Sequence, residues 1–237
     1  MWKQTYTYGR HSSLLQEIEE EDMISENENT TMVSIHPYIT IIGVLASVTT
    51  FCFCTSLVII PLVTNYQGSL TYISNGMENH CGWSGAVLGS CGIFIGVCEM
   101  VAALHTMKQY LILVVLVQAS TWCMIMGVSD TGWVFHYIAL VIFLSSTMYY
   151  HHNLCSLHPF DTFFYKKVNS ITAINIFLFF IAFIITASVP EAEKWAALDV
   201  TVSLELTLMS CLTIQNLCVV RALNQYKSIH LLFERQG

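Results

Sequence analysis

Four ionisable residues interrupt apolar runs of this sequence. Glu99 stands in GVCEMVAAL, His136 in SDTGWVFHYIALVIF, and Asp199 and Glu205 in LDVTVSLELTL. A carboxylate beside an imidazole can transfer a proton as an acid–base pair. A series of buried acids can relay protons or ions. The same acids, protonated and bonded to Ser, Thr or Asn of a neighbouring segment, hold helices together and do no chemistry. The elements that carry them decide between these roles.

LDVTVSLELTL places Asp199, Thr201, Ser203, Glu205 and Thr207 at alternate positions, the pattern of a half-buried strand. Its surroundings argue otherwise. The chain has 237 residues, 54% hydrophobic and 11% charged, with mean hydropathy +0.59. Soluble domains carry about 25% charged residues, so this chain has too little charge to cover a soluble surface. A lone strand in lipid would leave its backbone groups unpaired at several kcal/mol each. The segment is therefore a helix with two polar stripes, Asp199, Ser203 and Ser210 on one and Thr201, Glu205 and Asn216 on the other. Such a helix is expected to be surrounded by protein.

Six segments are about long enough to cross a bilayer: 38–63, 84–105, 109–128, 133–151, 168–189 and 195–222. The fold expected is an all-α, polytopic membrane protein with an acidic disordered tail over 1–35, a six-helix domain over 36–225 and a short C-terminus over 226–237. The tail holds seven acids against Lys3 and Arg10, −5 of the net charge of −7. No apolar leader precedes the first span, which is expected to direct insertion itself. With both termini in the cytosol, Lys3, Arg10, Lys108, Lys166, Lys167, Arg221, Lys227 and Arg235 lie on the inner side and Lys194 alone on the outer. Trp83, Trp122, Trp133 and Trp195 then fall at the outer ends of four helices, as an interfacial belt. The sequon Asn29-Thr30-Thr31 is expected to stay unmodified on the cytosolic side.

In this topology His136 and Asp199 each lie about one turn in from the outer face, so a contact between them is allowed. Glu205 falls near mid-membrane with no basic residue at its depth, and Glu99 nearer the cytosol. His151, His152 and His158 crowd the segment after the fourth span near Cys155, without HxxxH or HExxH spacing, and read as loop polarity. GxSxG and P-loop motifs and basic patches are absent. No catalytic residue, metal, cofactor or nucleic-acid partner is expected. Most of the nine cysteines lie in apolar runs and read as small hydrophobes, with Cys81 the candidate for oxidation.

Three segments carry a family resemblance. LTYISNGMENHCGWSGAVLGSCGIFIG is similar to a P-Y-I-S-D-x-G loop running into a small-residue-rich second helix. SDTGWVFHYIALVIF places His136 just inside the fourth span, and Leu204-Glu205-Leu206-Thr207 resembles a Glu-aromatic-Thr pattern in the last. These features, over about 38–230, resemble the damage-regulated autophagy modulator (DRAM) superfamily, with its Sfk-type and GPI-anchor-remodelling branches. The chain departs from that pattern in lacking Pro-Pro-Glu in the loop and in having Leu206 for the aromatic, as a divergent member would. The resemblance implies a non-enzymatic membrane regulator acting through membrane lipids or membrane or cytosolic protein partners. Lysosomal or endosomal membrane is the expected location, with plasma membrane or Golgi as alternatives. The tyrosine-based signal YKSI, Tyr226 to Ile229, would suit that address, and EEEDMI in the tail is a weaker one. Two other classes stay open: a lipid-modifying or GPI-remodelling component using His136 and Asp199, and a transporter using Glu99 and Glu205 as relay sites.

Overall fold

The computed structural model describes residues 30–34, 36–64, 70, 72–73, 83–126, 133–190, 194–224 and 230–234. In chain order the elements are β1 (Thr30–Ser34), α1 (His36–Thr64), α2 (Ser84–His105), α3 (Gln109–Met126), α4 (Trp133–Leu154), α5 (Phe163–Ser188), α6 (Lys194–Leu223) and β2 (His230–Glu234). All six helices are long and apolar enough to cross a membrane. The chain is thus an all-α, multi-pass membrane protein, joined at its ends by one short ribbon in which Thr30 faces Glu234 and Ser34 faces His230, antiparallel. Residues 30–34, assigned to a disordered tail on composition, thus pair with the C-terminal segment. An even number of crossings brings the two ends to the same side, where they can meet.

LDVTVSLELTL is helical throughout, within α6. Its alternation is resolved mostly inside the helix: Ser203 donates to Asp199 O (2.7 Å) and Thr207 to Ser203 O (2.8 Å). A hydroxyl closed on the carbonyl four residues back can face lipid without an unpaired donor. Ser203 and Thr207 are in fact exposed, so α6 is not enclosed by protein on all sides as its polar stripes predict. The fifth helix begins five residues before its expected start. Thr162 caps it by accepting from Tyr165 N (3.2 Å), and Lys166, ion-paired with Asp161, keeps its charged end at the surface. The fourth helix runs three residues further than expected, through His151 and His152 to Leu154.

The helices form a ring. Each of α1 to α4 packs on its chain neighbour, α5 packs on α6, and α6 returns to α1; the α4–α5 joint is thinner, and α2 reaches α6 across the middle. Close approach is set by small residues. A Cβ on Gly43 would lie 2.6 Å from Val220 and 2.8 Å from Cys98 Sγ, so only glycine lets α1 meet α2 and α6 here. One apolar cluster, around Ala102, Leu111, Tyr150, Phe160 and Leu223, closes the end where α2 joins α3. Another, around Val58, Leu88, Trp122 and Val202, closes the opposite end. Outward-facing apolar side chains such as Leu113, Ile174, Phe177 and Ile184 are exposed, as a lipid-facing surface requires.

Candidate functional site

Between the two apolar ends lies a small cavity inside the ring, about 50 Å³ in volume and partly open to the surroundings. Five helices line it, through Thr50 of α1, Gly96 and Glu99 of α2, Gln118 of α3, Phe143 and Thr147 of α4, and Thr213 and Asn216 of α6. Its walls are mainly apolar, and its polar groups converge on Glu99.

Glu99 is buried, and its partners come from two other helices. Gln118 Nε2 donates to Glu99 Oε2 (3.4 Å) and to Thr147 Oγ1 (3.1 Å). Nε2 of His151 lies 3.5 Å from Glu99 Oε1. The other ring nitrogen, Nδ1, meets the Tyr165 hydroxyl at 2.5 Å. A Tyr165 hydroxyl donating to Nδ1 would leave the ring proton on Nε2, facing the carboxylate, a tautomer set by the neighbours. Tyr150 donates to the Glu99 backbone carbonyl (2.7 Å). His151 is fully buried, 0% exposed. It therefore belongs to the bundle interior and not to loop polarity; His152 and His158 are the exposed members of that group. The physical reason is that the helix runs through both residues, and at about 100° per residue adjacent histidines point to different faces, one inward and one out.

Glu205 and Asp199 form a separate arrangement on α6. Each carboxylate accepts a backbone N–H from the connection between α1 and α2: Leu70 N to Asp199 Oδ1 (2.8 Å) and Ile73 N to Glu205 Oε2 (3.2 Å). Ile73 is buried, and Glu205 lies roughly 16 Å along the axis from Lys194. Non-helical backbone at such depth is tolerated where protein surrounds it and supplies acceptors. Tyr72 packs edge-on against Phe183 of α5 (6.4 Å between centroids), and burial raises its hydroxyl above the usual range. The partner of Glu205 is thus a main-chain amide, which side-chain inspection of the spans could not find.

No family model, curated protein or solved structure matches this chain.

The expected meeting of His136 and Asp199 does not appear among the ion pairs of the described residues; Asp199 takes the Leu70 amide instead. His136 is buried with its ring edge-on to Tyr137, 5.6 Å between centroids. The aromatic belt needs one correction. Trp83 and Trp195 are exposed, but Trp122 is buried, donates from Nε1 to Leu88 O (2.8 Å) and lies tilted against Phe143. Its ring fills the space left by Gly92, where a Cβ would come within 2.0 Å.

Sequence reasoning missed Gln118, Asn169, Asn175 and Gln215. Asn175 donates to Leu204 O (3.4 Å) and Gln215 to Asn169 Oδ1 (2.9 Å), tying α5 to α6, while the Thr186 and Thr201 hydroxyls meet at 2.8 Å. An amide inside an apolar run was the available signal, since it must find partners in lipid as an acid does. Among the described residues no group of His, Cys, Asp and Glu is disposed to hold a metal ion. All eight described cysteines are free thiols. Cys81, YKSI, EEEDMI and Asn29 lie outside the described residues.

Proposed function

We propose that this chain is a non-enzymatic integral membrane regulator of the autophagy-modulator type, which acts by binding a lipid whose polar head enters its helix ring. The observation that carries the reading is the interior cavity, apolar over most of its wall and polar around Glu99, Gln118 and Asn216. Binding sites for small amphiphiles have this composition: apolar walls for bulk affinity, a few placed polar groups for orientation. The family resemblance supports the same reading. Two of its segments, LTYIS and Leu204-Glu205-Leu206-Thr207, meet through the Ile73–Glu205 hydrogen bond.

Both termini face the cytosol in this proposal, on the strength of eight basic residues against one. The membrane is endosomal or lysosomal, addressed by YKSI, with partner proteins engaged from the cytosolic side. A lipid-modifying activity built on His136 and Asp199 has less support, because the Asp199 carboxylate is engaged by Leu70.

Native mass spectrometry of protein released from mild detergent tests the reading. A retained lipid is expected, and Thr213→Trp, which fills the cavity, is expected to displace it. Purified protein that turned over a lipid, with turnover lost in Glu205→Gln, would overturn the regulatory assignment. Tagged protein with Tyr226→Ala tests the address: a mutant that stayed in place would remove YKSI from the account.

A further inference from the structure

We propose that the lipid whose head enters the cavity is neutral and carries a hydroxyl group, which donates to Oε1 of Gln118. The inference rests on the ligand-binding reading above and specifies its chemistry.

Gln118 is 4% exposed and lines the cavity. Its amide nitrogen serves both Glu99 and Thr147, which fixes the amide plane. A flipped amide would set its oxygen against the Glu99 carboxylate, acceptor on acceptor. The amide oxygen is thereby left as a buried acceptor with no protein donor. A second such atom lies on the other side of Glu99. Ser47 is 1% exposed, and its Oγ has no partner, although it borders a smaller hollow shared with Glu99 and Asn216. Thr50 one turn on, like Ser90 and Ser120, closes its hydroxyl on a carbonyl four residues back. Buried polar atoms without partners are uncommon in native proteins, and each calls for a cause.

Charge narrows the ligand class. Among the described residues no Lys or Arg lines the cavity, so a phosphate headgroup would meet a carboxylate with no described cation to offset it. A cationic headgroup would find Glu99 already facing His151. A neutral headgroup avoids both costs. Gln118 Oε1 can only accept, so the ligand must donate, and a hydroxyl is a neutral lipid group that does so. Long-chain alcohols, diacylglycerols and sterols share that chemistry.

The test uses the full chain in phosphatidylcholine nanodiscs with two photoreactive probes: a diazirine-bearing long-chain primary alcohol and its methyl ether. The ether matches the alcohol in shape but leaves Gln118 Oε1 unpaired. The alcohol is expected to label cavity-lining peptides of α2, α3 and α6 about five- to tenfold more than the ether, the worth of one buried hydrogen bond. Gln118→Leu is expected to abolish this preference; the comparison of probes on the unsubstituted protein stands whether or not that variant folds. Equal labelling of the cavity by both probes would overturn the hydroxyl assignment and leave ligand binding intact. Labelling confined to outward-facing residues by both probes would overturn the two together, leaving a solvated hollow only.

Discussion

Nε2 of His151 lies 3.5 Å from the Glu99 carboxylate, deep in a bundle where neither side chain reaches solvent. The two belong to helices that are not chain neighbours, α4 and α2. Removing one member of such a pair leaves the other buried without compensation. His151→Leu is expected to destabilise the protein by about 1–3 kcal/mol, the cost of leaving a buried polar partner unsatisfied, read as a lowered midpoint of thermal unfolding in detergent. The double variant with Glu99→Leu should lose less than the sum of the single losses. Additive losses would show that the two side chains do not interact.

Glu205 is expected to tolerate an amide better than an apolar side chain. Glu205→Gln keeps an acceptor for the Ile73 amide, whereas Glu205→Leu leaves a buried N–H unpaired, at about 1–3 kcal/mol. Unfolding midpoints of the two variants decide it. Equal losses would show that the carboxylate's role is not to accept from the loop.

Gly92→Ala is expected to be among the costlier single-methyl changes, at about 1–3 kcal/mol. The new Cβ would fall 2.0 Å from the Trp122 ring, which cannot retreat while it donates to Leu88 O. Trp122→Leu in the Gly92→Ala background should relieve the overlap, so that the second substitution costs less than it does alone. A fully stable Gly92→Ala protein would place the indole elsewhere.

Cys155 lies just past α4, and burial raises its thiol above the usual range while Lys166 partly lowers it. The thiolate fraction at neutral pH is therefore below that of an ordinary cysteine, and the thiolate is the reactive form. A variant with Cys155 as its only cysteine should react slowly with maleimide at pH 7 and faster as pH rises. Lys166→Ala should slow it further wherever the thiol is mostly protonated, including pH 7. A rate equal to that of a free thiol would overturn the assignment.

Much of the scaffold was legible before any coordinates. The second helix has the expected ends, 84–105, and the other five lie within about five residues of expectation. Hydropathy succeeds here because each span must be apolar over its own length and satisfy its backbone within itself. The boundaries that moved, at α4 and α5, carry His152, Lys166 and Lys167: polar residues that a hydropathy reading gives to loops, and that a helix accommodates by letting them reach the surface.

The sequence by itself determined six membrane-length helices, their order, and which side chains would be costly inside a bilayer. The tertiary structure decided where each of those side chains finds its compensation. Asp199 is met by the Leu70 amide, Glu205 by that of Ile73, and Glu99 by Gln118 and His151. The physical reason is one of range. Crossing a bilayer is a property of each segment separately, whereas pairing a buried polar group depends on how the ring closes, and that closure pairs Ile73 with Glu205 across 132 positions.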